Sequence, residues 1–512
     1  MNKKTNLNRK RLSAWTWLGC LLLGTAAFLT TSCAKDGFTE ESFVGTITSG
    51  DVLAAPDGST FKVKSSSDRT TQTVSWKAVD GALDYLVTIY KSTVPFNGDV
   101  TGEQIVSDSL VHNPYVGIPR LNATYYRVIV QSAENKAEKN PASETTTTFD
   151  WDTYLIEVTV AAKEGEESVD FTKFMEENPI EQIVADFGTL CPIMYYFNEN
   201  VPYTMSGPVD FEGYEVTLCS DNEKTKPTIT LGETASFITY NTFTLENLKF
   251  LCDDGKQSII TLSATPDEAI KGATGKGDYY NIQSQITLTG CDFDNIQNKL
   301  LYDNGLKYCI ETFVIDNCQC HFDISKTESA QGYIYMSKGF IKDITIQKST
   351  MWNTGDGNRG YFIKYDNAGR PDRAGYPTES PACSVNFYNN TFYNMGSSQW
   401  CNYDGIKGKN YTEINIVSNI WLNCAAGIVR RILGQSKSTA YDNCVINNNT
   451  YWKDGASETN WADYDLTGGL VLTSDPGLKN PEGDLTDANF QPSGLEQLQY
   501  QTGDPRWLPK EE

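Results

Sequence analysis

The chain has 512 residues, 65 acidic against 42 basic, and a formal net charge of −23. Such an excess of carboxylates excludes nucleic acid and anionic headgroups as partners, because both would be repelled. Only His112 and His321 occur, and no metal-ligand spacing includes them, so neither a histidine-dependent hydrolase nor a zinc site is expected.

At the N-terminus, Lys3, Lys4, Arg9, Lys10 and Arg11 precede an apolar run over residues 14–29 and the small residues Thr31 and Ser32 before Cys33. This pattern reads as a secretory signal, too short to span a membrane. It resembles a bacterial lipoprotein signal. The resemblance implies removal of residues 1–32, lipidation of Cys33, and a tether over 33–44 like those that direct Bacteroidetes-type lipoproteins to the outer face of the outer membrane. Membrane contact would then run through the lipid anchor only. Cys20 is an alternative, but it lies inside the apolar run behind Trp17 and Leu18.

Residues 45–150 alternate apolar and polar side chains between turn signals, as around Val74 and Trp76, Tyr85 to Tyr90, and Tyr126 to Val130. Tyr126, Val128 and Val130 share one face, and Trp76 is placed to fill a core. The stretch resembles a fibronectin type III β-sandwich, with Trp76 and Tyr126 matching its core tryptophan and corner tyrosine; the resemblance implies a spacer. Over 170–187, the spacing of Phe171, Phe174, Met175, Ile180, Ile183 and Val184 predicts an amphipathic helix. It is placed to cap the repeat that follows.

That repeat sets the fold. Seven segments, starting at Phe243, Ile286, Phe313, Ile344, Val385, Ile414 and Cys444, carry apolar residues at i, i+2 and i+7, mostly a small, polar or cysteine residue at i+5, and often Asn at i+9. They recur at intervals of 27 to 43 residues, the solenoid range. Alternation at i and i+2 is the strand period, and an apolar return at i+7 turns the chain around one core, so each coil must stack on another. The prediction is an all-β chain: a sandwich, a short capping helix, a right-handed parallel β-helix over 151–485, and a closing segment over 486–512. The stacked asparagines at i+5 are read as a structural ladder taking left-handed geometry. Eleven cysteines follow Cys33, several at inward or corner positions, and serve as small apolar filler.

The stretches 201–208 and 214–219 resemble the first strands of pectate-lyase-like β-helices. With the closing segment, the chain resembles the fibronectin and β-helix surface lipoproteins of polysaccharide-utilisation systems. Function rests on two outward rows. In triplets such as Phe362-Ile363-Lys364, Gly405-Ile406-Lys407 and Ile428-Val429-Arg430, alternation sends Lys364, Lys407 and Arg430 outward on consecutive rungs, with Arg431 beside them. Such a row suits an acidic, uronate-containing polysaccharide, unless Asp366 and Asp404 turn it into a solvated ion network. At i+8, Trp352, Tyr393, Leu422 and Trp452 make an aromatic row fit for sugar rings, with Tyr403 nearby, unless loops fold over it. Three functions stay open: glycan capture beside a TonB-dependent transporter, a polysaccharide lyase using Arg430 or Lys407 as base, and a structural or adhesive role. No resident cofactor is implied, although calcium accompanies the lyase chemistry in the family resembled.

Overall fold

The computed structural model describes residues 49–66, 70–97, 102–222, 224–272, 278–365, 373–375, 382–402, 412–425, 444–457 and 471–510. It forms two compact units that divide between Tyr154 and Leu155. Cys33 lies outside the described residues. Among those residues no helix is long and apolar enough to cross a membrane.

In the first unit a three-stranded antiparallel sheet (Lys62–Ser65, Thr71–Ser75, Tyr115–Pro119) accompanies a four-stranded one (Glu103–Val111, Tyr85–Ser92, Tyr125–Ser132, Thr147–Asp152). Trp76 is buried, stacked near Phe61 and edge-on to Tyr85. Tyr126, Val128 and Val130 all face this core, as alternation predicts. The Tyr126 hydroxyl accepts the Leu121 N–H at 2.9 Å, anchoring the turn before its own strand.

The second unit is a parallel β-helix whose described residues form three sheets of ten, twelve and seven strands, here called first, second and third. The template positions are register partners. Along the first sheet Phe243, Ile286, Phe313, Ile344, Val385, Ile414 and Cys444 align rung on rung. Along the second, Phe250, Phe293, Cys320, Met351, Phe392, Trp421 and Tyr451 do so. All are buried in one continuous core.

Two details differ from expectation. Left-handed backbone is carried by i+4, not by the ladder residue: Asn247, Gly290, Asn317, Lys348, Asn389, Ser418 and Asn448 all have φ between 48° and 62°. That twist turns the i+5 side chain inward, where Asn390 donates to Asn419 Oδ1 at 2.9 Å and Asn419 to Asn449 Oδ1 at 3.1 Å. Several asparagines near i+9, Asn295, Asn394 and Asn423, take the same conformation at the next corner, which short amide side chains tolerate. The second difference is at the start. A coil with strands Ile156–Val160 and Val169–Asp170 precedes the helical stretch, and the single predicted helix is two, Phe171–Glu177 and Ile180–Phe187. Pro179 has no N–H to continue the first helix and pushes Asn178 out of helical geometry. Phe171 and Ile180 are buried, and Phe174, Met175, Ile183 and Val184 pack on the β-helix core.

Among the described residues none of the eleven cysteines from Cys191 to Cys444 forms a disulfide, and ten are buried. Phe387 is fully buried between aromatic neighbours, so Phe387→Ala should cost ~3–5 kcal/mol in denaturant unfolding. Asn419→Ala should cost about 1–3 kcal/mol in the same experiment, because the buried backbone and side-chain donors of Asn390 lose their acceptor.

Candidate functional site

The aromatic row exists but is covered. Trp352, Tyr393, Leu422 and Trp452 align on the outer face of the second sheet, and the C-terminal segment lies across it. Trp352 is fully buried, stacked 5.0 Å from His321 and edge-on to Phe490, with Nε1 donating to the Gly483 carbonyl at 2.8 Å. Tyr393 is buried and its hydroxyl donates to Glu482. Trp352 and Tyr393 are thus docking points for the chain's own end rather than sugar platforms, while Trp452 stays half-buried. The closing segment also reaches further back than residue 486. His321 bridges Asp294 (2.8 Å) and the exposed Thr354 hydroxyl (2.7 Å), and Asp294 accepts the Leu485 N–H, so this polar relay belongs to the same seam.

The basic row differs in register. On the third sheet Tyr302 pairs with Tyr335, Tyr335 with Lys364, and Lys364 with Asn402; Ile363 pairs with Cys401, not Ile406. The next rung is Gln399–Asn402, whose buried Trp400 stacks on Phe362 at 4.3 Å. The triplet ending in Lys407 only imitated this pattern, so Lys407 is not the rung partner of Lys364. Lys407, Arg430, Arg431 and Tyr403 lie outside the described residues.

What the third sheet presents instead is a cationic, aromatic face. Tyr302 and Tyr335 stack at 5.8 Å with an 18° interplanar angle. Lys364 Nζ lies 5.5 Å from the Tyr335 ring and 5.3 Å from Tyr361. Lys299 Nζ lies 5.1 Å from Tyr302 and 5.9 Å from Tyr335. Lys299 and Arg359 are both buried and donate to one acceptor, Asn298 Oδ1, at 2.9 and 3.2 Å. Arg359 is ion-paired with Glu328. Two cations so close raise each other's cost of charging. Burial, with Arg359 beside it, brings the Lys299 ammonium down to about 8, and burial lowers Lys364 as well. Beneath the tyrosines, Asp303 is fully buried and accepts from Gly305, Ser337, Lys338 and Gly339; burial pushes its carboxyl up despite these bonds.

Of the expected site residues, the described structure places Lys364 on this face and sets Trp352 and Tyr393 apart from it. Tyr302 and Tyr335 occupy the same triplet position as Lys364, so alternation alone could have found them. Lys299 and Arg359 have no periodic signature, because they start a loop exit and a strand rather than repeating along the row.

Residues 201–354 match a family model described as a domain of unknown function (DUF4957), and residues 7–200 match another domain of unknown function. Their junction falls inside the second structural unit, after its first coil. No curated protein matches the chain. Among solved structures, the crystal structure of pectate lyase PelI from Erwinia chrysanthemi in complex with tetragalacturonic acid is similar, at 11% identity, covering 77% of this chain and 99% of that one, with a TM-score of 0.22. A similarity that slight bears on neither site nor ligand, and the β-helix here rests on its own sheet register. Trp352→Ala should cost ~3–5 kcal/mol in thermal or denaturant unfolding, with no change in glycan affinity.

Proposed function

We propose that this chain is a surface lipoprotein whose β-helix captures an acidic, uronate-containing polysaccharide on the third-sheet face around Tyr302, Tyr335 and Lys364. One observation carries this: Lys299 and Lys364 lie over the stacked tyrosines, with Arg359 sharing Asn298 with Lys299 and ion-paired to Glu328, in a chain of net charge −23. Like charges held together in an acidic protein cost free energy that an arriving anion offsets. Tyrosine faces cover the C–H surfaces of sugar rings while the cations meet carboxylates. In this reading the antiparallel first unit is a fibronectin-like spacer, the two short helices cover the open first coil, and a lipid on Cys33 holds the chain on the outer membrane beside a TonB-dependent transporter.

Titration with oligogalacturonate tests the proposal. Lys364→Ala should weaken binding by about 1–3 kcal/mol, and Tyr335→Ala should weaken it as well; neutral glycans should bind this face poorly, and salt should weaken wild-type binding. Oligogalacturonate affinity unchanged in both variants would overturn the assignment. Ultraviolet absorbance in the same titrations reports unsaturated uronate, the product an eliminating enzyme would release. The sign of the pH dependence follows from Lys299. Its amino group is charged below about 8 and neutral above, so affinity should fall as pH rises through that value, and a bound carboxylate should move the midpoint upward. Lys299→Met should flatten the profile. Separately, Cys33→Ala should release the chain from the membrane fraction, while continued association would point to another anchor.

A further inference from the structure

Asp294 and His321 lie on successive strands of the second sheet, Asp292–Ile296 and Gln319–Phe322, and Thr354 follows the next strand, Thr350–Asn353. The three form a hydrogen-bonded chain, with Asp294 Oδ1 2.8 Å from His321 Nδ1 and His321 Nε2 2.7 Å from Thr354 Oγ1. Only the stacking of rungs brings them together, so their spacing in sequence gives no hint of the group. A carboxylate only accepts, and with the imidazole neutral its one proton therefore sits on Nδ1. Nε2 is left as an acceptor, to which the Thr354 hydroxyl donates. Carboxylate, imidazole and hydroxyl in this order are the arrangement in which a base activates an alcohol nucleophile and a third group orients the base.

Exposure separates the roles. His321 is 2% exposed and Asp294 8%, whereas Thr354 is exposed. The seam with the C-terminal segment accounts for the inner pair, since Asp294 also accepts the Leu485 N–H at 3.3 Å and Trp352 stacks on the imidazole. It does not account for a hydroxyl on the solvent side, where water would serve the same bond. An imidazolium formed at His321 would be bonded to Asp294 and would have Asp484 near it, whose carboxyl is lowered chiefly by Thr486 and in part by His321. Beyond Thr354 the chain closes through the Gly357 N–H, which donates to the Ile324 carbonyl at 2.6 Å, while the N–H groups of Gly355 and Asp356 bond no group among the described residues. Amides directly after a nucleophile are a common source of donors to an acyl oxyanion.

We propose that Thr354 is the nucleophile of a carboxylic-ester hydrolase site, with His321 as its base and Asp294 as the residue that positions His321. Thr354 Oγ1 gives its proton to His321 Nε2 and bonds to the acyl carbon; the ester C–O bond breaks, and the departing alkoxide takes that proton. Water, deprotonated in turn by Nε2, then attacks the acyl-threonine, releasing the carboxylic acid and restoring the hydroxyl. The methyl group of Thr354 crowds its own Oγ1, so the acyl group is a small one such as acetyl. The site stands independently of the acidic-glycan face.

Hydrolysis of p-nitrophenyl acetate by the full chain, with peptide mapping of the acid-quenched reaction by mass spectrometry, tests this. Wild type should turn the ester over and carry acetyl on Thr354. Thr354→Val keeps the shape and loses the hydroxyl at an exposed position; it should lower the rate about a hundredfold or more at unchanged Tm, whereas Thr354→Ser should keep both activity and adduct. Asp294→Asn should lower kcat and leave KM, because it costs the base its tautomer rather than a substrate contact. Wild-type hydrolysis no faster than that of Thr354→Val, or acetyl found on other residues and never on Thr354, would overturn the site and leave the relay to the seam. Oligogalacturonate affinity should be the same in Thr354→Val as in wild type, so this site and the glycan face fail separately.

Discussion

The left-handed residue at i+4 is the constraint on which the second unit depends. It turns the chain after the first strand of each coil so that i+5 points into the core, directly above its counterpart on the neighbouring rung. A side chain placed there also has a local task, because the turn leaves the i+3 carbonyl facing inward. Cys291 reaches Thr289 O at 3.4 Å, Cys318 reaches Asp316 O at 3.3 Å, Ser349 reaches Gln347 O at 2.7 Å, and Asn419 reaches Val417 O at 3.1 Å. Thiol, hydroxyl and amide are interchangeable for that bond. The Ser349 hydroxyl and the amides also accept the backbone N–H of the neighbouring rung, and only the amides add a side-chain bond between rungs, so the asparagine end of the β-helix gains a continuous ladder that the cysteine end lacks. This is why cysteines occupy these corners unpaired.

The outer face of the second sheet shows how one chemistry serves two ends. A flat apolar ring with a polar edge suits a sugar or a protein tail equally. Here Trp352 and Tyr393 meet the tail. Asp504 completes the seam from the other side: its carboxylate accepts from Thr350 Oγ1 at 2.7 Å and pairs with Arg506 at 2.9 Å, while Trp507 Nε1 donates to the same Thr350 hydroxyl. Burial raises the Asp504 carboxyl despite these partners. No local pattern around Trp352 announces a partner 131 residues away.

That separation marks where the sequence is readable. The inward register was legible because strand period and corner chemistry repeat within ten residues, and every template position from Phe243 to Cys444 lands in the core. The break at Pro179 was missed, because the amphipathic spacing runs on across it. On the third sheet, Leu301, Ile334 and Ile363 align as the triplets suggest, but the next rung comes from Trp400 and Cys401, because loop length between coils varies and two nearby stretches carry similar patterns. The cationic site was half readable for the same reason: Tyr302, Tyr335 and Lys364 share a repeat position, whereas Lys299 and Arg359 meet only through Asn298.

The third-sheet row also bounds what can bind along it. Outward positions run Asp210, Ile238, Thr261, Tyr302, Tyr335 and Lys364 on consecutive rungs, each about 4.8 Å from the last. The potential along this line changes sign, from the carboxylates near Asp210 and Glu212 to the cations at Lys299, Arg359 and Lys364. Burial already raises the Asp210 and Glu212 carboxyls, so more negative charge at that end would raise their cost further. Under the proposed reading, a uniformly anionic polymer gains attraction over the rungs near Tyr302 to Lys364 and loses it beyond Thr261. Its footprint is therefore a few sugar units at one end of the face, and an uncharged unit is the kind the acidic end tolerates. Charge alone thereby sorts ligands along a surface whose backbone geometry is the same on every rung.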